Sequence, residues 1–415
     1  MNADVIEVTS SAFRRFWAAQ TLSQIGQRFG SVAIPVVAIT VLDAGSSEVG
    51  YLTAALTVCY LLVGLPAGAW VDRWNKRSTM MRAAWVRAIV LISIPALWLV
   101  DSLSLSWMYL IAVIVGIASV FFDVAYQSIV PFIVADDSIE SANARLEASS
   151  QVSAAGGPAV AGFLFRFLSA PLVLLVDALA YVGCAWLLAT VTDTEPRREA
   201  SPSRRSIVAE VREGVGFVVR QPVLRRLVVS VGVSNFFATI IFTLAPLLML
   251  RELDLGTTVM GIVLSVGTLG GIAGAALLPT VRGRWRAGVV MGGGLALAAV
   301  STAAFPVAGS AGDGGSLPPI LLLILGQFGM TLGAVMFNIT QVSLRQRLCP
   351  KDLLGRMNAS IRFVVWGSMP LAALVAGWLG SGIGVVPTMW VGVVGTCLTA
   401  LPILGIDRLI EARDV

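Results

Sequence analysis

The sequence predicts an all-α membrane protein of twelve transmembrane helices, arranged as two parallel six-helix bundles. Three observations predict it: an apolar composition, basic residues confined to alternate loops, and a register in the first half that recurs in the second. The 415 residues are 57% hydrophobic and only 13% charged, with a mean hydropathy of +0.85. Soluble domains carry about a quarter of their residues as charges. A soluble chain of this length would lack the polar side chains to cover its surface, so lipid must be its main solvent.

A span needs about 20 predominantly apolar residues to cross the hydrocarbon. Such runs fall near 16–42, 49–71, 78–100, 105–130, 150–168 and 170–192, and after a polar break near 225–250, 259–281, 287–309, 317–342, 358–380 and 383–405. Arg14 and Arg15 precede the first run, and Arg73, Lys76 and Arg77 follow the second. Further clusters stand in the central break, after the eighth run (Arg282, Arg284, Arg286) and after the tenth (Arg345, Arg347, Lys351, Arg356). The intervening loops at 43–48 and 101–104 carry almost none. Basic residues mark the cytoplasmic side, so the alternation predicts a multi-pass inner (plasma) membrane protein with both termini cytoplasmic. Trp17, Trp70, Trp98, Trp107, Trp186 and Trp390 lie near run ends, where the membrane interface favours indole rings. Trp85 and Trp366 lie deeper, either packed on neighbouring helices or facing a substrate.

The repeat is read from matched positions. Gly50 and Gly261 open the second and eighth runs 211 residues apart, and Arg73-Trp74 matches Arg284-Trp285 at the same offset. At an offset of 215, Phe122-Asp123 pairs with Phe337-Asn338, Asp137 with Asp352, Asn143-Ala144 with Asn358-Ala359 and Ala161-Gly162 with Ala376-Gly377. Six spans return the chain to the same side of the membrane, so the halves run parallel. The expected organisation is a bundle over 1–192, a cytoplasmic linker over 193–224 and a second bundle over 225–415. Within the linker Ile207, Val211, Val215 and Val218 recur at helical spacing with charges on the other faces, the pattern of an amphipathic helix on the inner leaflet.

Composition also excludes whole classes. The net charge of +5 is accounted for by the loop arginines, so no nucleic-acid partner is expected. Cys59, Cys184, Cys349 and Cys397 show no CxxC spacing and there is no histidine, so neither disulfides, a metal site nor a cofactor is expected. The N-terminus lacks a short apolar region followed by a small-residue cleavage site, so no removable signal peptide is expected. No Gly-x-x-x-x-Gly-Lys phosphate loop is present, no nucleophile–base constellation, and no loop long enough for a catalytic domain. These speak against direct use of ATP and against an enzyme.

The loop after the second run reads Gly68-Ala-Trp-Val-Asp72-Arg73-Trp-Asn-Lys76-Arg77. With the two parallel halves and the basic central break, it resembles the Gly-x-x-x-Asp-Arg-x-x-Arg-Lys signature of the major facilitator superfamily, the last two residues being reversed. Stretches 13–20, 64–72, 121–131 and 142–162 resemble the branch containing macrolide efflux proteins and enterobactin exporters. The resemblance implies a cytoplasmic latch: Gly68 permits close helix approach, and Asp72 meets the positive end of a helix in the other half, worth about 0.3–2 kcal/mol. The plainer alternative is a solvated turn carrying topology charges. In the second half Gly283 replaces Asp72, so that copy should be weaker. The fifth run contains Gly156-Gly157-Pro158-Ala-Val-Ala161-Gly162, similar to the Gly-Pro-x-x-Gly-Gly signature of antiporters in the superfamily, with Ala161 for one glycine. Proline bends the helix and glycines let it pack tightly; a kinked packing helix without a coupling role is the alternative.

Charges inside spans are functional hypotheses by default, because burying them is costly. Arg28 in the first run, Arg87 in the third, Asp123 in the fourth and Asp177 in the sixth are such charges. Arg87 and Asp123 share a depth and are expected to pair. Asp177 is expected nearer the outer face, with Arg166 as its partner and a structural role. Low dielectric favours the neutral carboxyl and a guanidinium favours the charged one, so breaking and remaking an Arg–Asp pair would load and release a proton. A permanent ion pair fixing helix register is the alternative for Asp123. Relatives in this branch often place an acid after the first-span glycine, where Gln27 follows Gly26 here. The fourth-span arginine of many drug–proton antiporters is also absent from 108–119. Gln20, Gln24, Gln27, Asn235, Gln327 and Asn338 are candidates to line a substrate cavity, or to hydrogen-bond between helices. The function expected is export of a small amphipathic molecule (a drug, antibiotic or siderophore-like metabolite) by a monomer that exchanges it for protons. The alternatives are an importer or lipid transporter of the same fold, or a membrane receptor or enzyme.

Overall fold

The computed structural model describes residues 11–71, 73–134, 139–191, 216–310, 318–349, 354–403 and 405–411. Among these the regular structure is helical throughout. The first six spans are α1 (Ser11–Thr40), α2 (Ser46–Leu62) continued by α3 (Gly64–Val71), α4 (Lys76–Leu99), α5 (Leu105–Ile133), α6 (Ile139–Leu164) and α7 (Ala170–Thr190). The second six begin with α8 (Pro222–Leu247), which runs into a π turn over Leu248–Glu252, and α9 (Gly256–Arg284). They continue with α10 (Ala287–Thr302) and its extension α11 (Ala304–Ser310), α12 (Pro319–Leu348), α13 (Leu354–Ile383) and α14 (Val385–Leu398), after which α15 (Ile406–Glu411) closes the described chain. In hydrocarbon every backbone polar group must be satisfied within its own segment, which is why apolar runs of this length become helices.

Eight of the described helices are long and apolar enough to cross a membrane by composition alone. The others are diluted or divided. α1 carries Arg14, Arg15, Arg28 and three glutamines, and the second span breaks at Val63 into α2 and α3. α6 starts well before its apolar run because its first turns are amphipathic. Ala142, Leu146 and Ser149 recur on a buried face while Asn143, Arg145 and Glu147 are exposed.

Two compact units are distinguished, one of residues 1–43 and 55–204, the other of 44–54 and 205–415. In the first, α1 packs on α6 and α7, α4 on α5 and α7, and α3 on α5. In the second, α8 packs on α13 and α14, α10 on α12 and α14, and α9 on α12. By rank of span these are the same pairings, the physical form of the repeated register. Asp43 and Asp254, again 211 apart, both turn the chain with left-handed φ of 54° and 48°, a conformation that aspartate tolerates better than most residues. Segment 44–54 belongs to the second unit through its backbone. A Cβ built at Gly50 would stand 2.7 Å from Gly377 Cα, and Ser47 Oγ donates to the Gly377 carbonyl at 3.4 Å.

Two expectations change. Trp85 is not buried against neighbouring helices: it is 42% exposed and shares a stripe of α4 with the exposed Ile89 and Ile92, at the spacing of one helix face. Of the linker's apolar positions, Ile207, Val211 and Val215 lie outside the described residues, while Val218 is buried with Leu224, Val228, Met357 and Ile361 on the second unit.

Candidate functional site: a buried charge cluster in the first unit

α4 packs on both α5 and α7, so a residue midway along α4 can face both neighbours. Arg87 is that residue. It stands about eleven residues into α4, roughly 16 Å along the helix. Asp123 is about ten residues before the end of α5, and Asp177 about thirteen before the end of the shorter α7. The three therefore share a depth. Arg87 is 1% exposed, with its guanidinium carbon 4.9 Å from the Phe122 ring centre and 5.0 Å from that of Tyr181. The faces of aromatic rings attract a cation. Nε and Nη2 of Arg87 have no hydrogen-bond partner, while its charge interacts with Asp123 and Asp177. One cation thus serves two carboxylates.

The two acids are held differently. Asp123 is half-buried and accepts a hydrogen bond from the Tyr60 hydroxyl at 2.8 Å. Asp177 is 1% exposed and sits against a glycine notch of α1. A Cβ at Gly26 would lie 2.7 Å from Asp177 Oδ1, and one at Gly30 would lie 2.6 Å from Oδ2. Oδ1 has no hydrogen-bond partner. This corrects the expected partner of Asp177: Arg166 is exposed, and the charge acting on Asp177 is that of Arg87. The expected partner was chosen by nearness in sequence, whereas the neighbour of Asp177 is set by the packing of α7 on α4. Tyr60, Phe122, Tyr181 and the glycine notch were not identified from sequence as parts of the site. The Gly26-x-x-x-Gly30 spacing, a known close-approach pattern, and Tyr181 one turn beyond Asp177 were the available signals.

Arg28 stands apart from this cluster. Its side chain is exposed, its Cβ lies 2.5 Å from a Cβ position built at Gly157 of α6, and its charge interacts with Glu147. In the antiporter-like stretch, Pro158 lies inside α6, Gly157, Pro158 and Gly162 are buried and Ala161 is 0% exposed. Among the described residues nothing lies within 4 Å of a Cβ built at Gly156. Only one of the paired glycines is thus used for close packing.

In the loop signature, Asp72 lies outside the described residues. A Cβ built at Gly68 meets nothing within 4 Å among them, nor does one at Gly283. Arg73 is exposed. Asn75 caps α4, its side chain accepting from Ser78 N at 2.8 Å. Lys76 is 4% exposed with Nζ 5.2 Å from the Phe132 ring centre. Arg77 donates to the carbonyls of Ala189 and Val191, and Arg15 donates to that of Thr190 at 2.9 Å. Two arginines from α1 and α4 therefore satisfy the last carbonyls of α7, where a helix end needs donors and welcomes positive charge.

The amides divide. Gln20 is buried and Gln24 half-buried, each with a buried, unpartnered Oε1, and Gln27 is exposed. Asn235 donates to the Val231 carbonyl of its own helix at 2.9 Å. Gln327 is 5% exposed and packs its chain against Gly267. Asn338 is exposed and accepts from Gln341 at 2.9 Å.

Residues 16–373 match the family model of the Major Facilitator Superfamily. Over 373 residues the chain is 27% identical to the MFS-type transporter y4rN of Sinorhizobium fredii, covering 86% of each protein. It is 25% identical over 385 residues to the multidrug efflux pump Tap of Mycolicibacterium fortuitum, covering 86% of this chain and 89% of Tap. In three dimensions it is similar to a bacterial homologue of the iron transporter ferroportin, with a TM-score of 0.77 at 16% identity over 95% of this chain and 98% of the other. The chain therefore belongs to the Major Facilitator Superfamily, a multi-pass membrane transporter of small molecules and not an enzyme.

Proposed function

We propose that this transporter exports a small amphipathic molecule, a drug, antibiotic or siderophore-like metabolite, by alternating access in exchange for protons. We place it as a monomer in the cytoplasmic membrane with both termini inside. The observation that carries the coupling is the ratio of charges at mid-depth: one buried guanidinium, Arg87, between Asp123 and Asp177. Burying an uncompensated charge costs several kcal/mol, and this group balances when one carboxyl holds a proton. Movement of Arg87 toward either acid leaves the other free to take or give that proton. Tyr60, bonded to Asp123, and the glycine notch around Asp177 give the two acids different surroundings, while the proton gradient sets the direction of the exchange. The likeness to Tap, a multidrug efflux pump, supports the outward direction. Gly68, Asp72, Arg73, Lys76 and Arg77 are proposed as the cytoplasmic latch, with Arg77 tying α4 to the end of α7. Gly157, Pro158, Ala161 and Gly162 are proposed as the helix surface on which α1 moves. The test is transport into inside-out vesicles against a panel of amphipathic compounds. Accumulation driven by an acidic lumen and abolished by nigericin is expected for at least one compound. Gradient-driven movement of every transported compound the other way would make the protein an importer, and accumulation indifferent to nigericin would remove proton coupling.

A further inference from the structure

Positions 75–77 and 286–288 stand 211 residues apart, in the register already set by Arg73-Trp74 and Arg284-Trp285, and each opens a span. The first stretch opens α4 with two devices of its own. Asn75 caps the helix by accepting from Ser78 N, and Arg77 donates to the carbonyls of Ala189 and Val191 at the end of α7. The second unit keeps neither side chain. Arg286 stands at the cap position of α10 in extended backbone but makes no capping hydrogen bond, and at 288 the arginine is replaced by glycine. The first N–H groups of a helix have no partner within it, so the start of α10 needs an acceptor from elsewhere.

That acceptor comes from 119 residues further along the chain. Beyond α14 the backbone makes a 3-10 turn over Leu401–Ile403 and bends at Gly405, with a left-handed φ of 71°, into α15. Asp407 of α15 accepts from Gly288 N at 2.8 Å through Oδ1. The fit is steric as well, since a Cβ built at Gly288 would stand 2.6 Å from Ile406 Cγ2 and 2.7 Å from Asp407 Oδ2. Ile403 and Ile406 are buried with Val223 and Leu227 of α8 and with Met291 and Leu295 of α10. Ser230 of α8, also buried, donates to the Thr399 carbonyl at 2.6 Å, where α14 ends. One short segment thus packs on α8 and on α10 together.

We infer that segment 401–411 is a clasp that supplies, for the second unit, the cap and the tie that the loop residues supply in the first. Asp407 serves as the N-cap of α10 from a distant part of the chain, and Ile403 and Ile406 bind the end of α14 to the starts of α8 and α10. The chemistry suits the place: a carboxylate is favoured at the positive end of a helix, and aspartate is among the preferred capping side chains. The tie is inverted between the units, arginine to carbonyl in one and backbone N–H to carboxylate in the other. In transport by rocking, a bundle moves largely as a rigid body, and the clasp makes the start of α10 and the end of α14 move together.

The test is amide hydrogen exchange of the full chain in lipid nanodiscs, followed at the first turn of α10, at 401–411 and at the first turn of α4. Asp407→Ala should speed exchange at the first turn of α10 about fivefold, the loss of one cap, and should speed it over 401–411 as well. Asp407→Asn, which keeps a capping oxygen, should exchange like the parent. Adding Arg286→Asn to Asp407→Ala copies the Asn75 arrangement. It should restore protection to α10 while 401–411 stays loosened, because a local cap does not hold the segment. The first turn of α4 should be unchanged in every variant and reports in the same molecule that the fold is intact. Parental exchange at the start of α10 in Asp407→Ala would overturn the cap, and an undisturbed 401–411 in that variant would overturn the clasp. Exchange in Asp407→Asn as fast as in Asp407→Ala would also overturn the cap.

Discussion

At the scale of single residues, the constraint that shapes the charge cluster is the fit of Asp177 into α1. Its two oxygens occupy the space that side chains at Gly26 and Gly30 would need, so carboxyl and glycines form one steric unit. Gly30→Ala should therefore lower the thermal stability of the purified protein by about 1–3 kcal/mol, the usual cost of overpacking. Asp177→Asn, which keeps the shape, should not rescue it; Asp177→Ala in the same chain should. A melt in which Gly30→Ala is indistinguishable from the parent would remove the steric argument. Arg87 makes the complementary case. Arg87→Gln leaves two buried or half-buried acids without their cation, at a cost of about 3–5 kcal/mol, and abundance should recover when Asp123→Asn and Asp177→Asn are both added. These partnerships were only half legible in the sequence. Charge and depth bring Arg87 and Asp123 together, but the neighbour of Asp177 depends on which helices pack, and α4 reaches α7 as well as α5.

At the scale of elements, α6 shows what a motif says and what it leaves open. Proline and clustered glycines mark a helix built for close packing, and Gly157 does press on Arg28 of α1. Gly156 beside it meets none of the described residues within 4 Å, a distinction no sequence pattern carries. Gly157→Val should destabilise the protein by about 1–3 kcal/mol, while Gly156→Val should change the melting temperature little beyond its helix propensity. Equal melting temperatures for the two variants would mean that α1 and α6 do not meet at this point. Helix existence was the most legible property, since twelve apolar runs locate the spans to within a few residues. Their ends were less so. The first turns of α6 are polar and yet helical, because intrahelical hydrogen bonds do not need lipid once a buried face such as Ala142, Leu146 and Ser149 anchors them. Likewise Asn75, which caps α4, was read only as part of a loop signature.

At the scale of the whole molecule, the repeat is a rule of packing as well as of sequence, with equivalent spans paired alike in each unit. The chemistry is not repeated: Asn338 takes the place of Asp123, and the buried guanidinium belongs to the first unit alone among the described residues. The proposed orientation predicts that tags at both termini and at 195–205 are cytoplasmic and that one at 310–315 is external; an accessible 195–205 on the outer face would refute it. The same asymmetry places the proposed coupling entirely in the first unit. Its most direct test sets gradient-driven accumulation beside gradient-free exchange in vesicles carrying Asp123→Asn or Asp177→Asn. Each change leaves Arg87 with one acid, a balanced pair that has no proton to trade, so both variants should lose driven accumulation while exchange of substrate continues. Driven accumulation at the parental level in either variant would contradict the account.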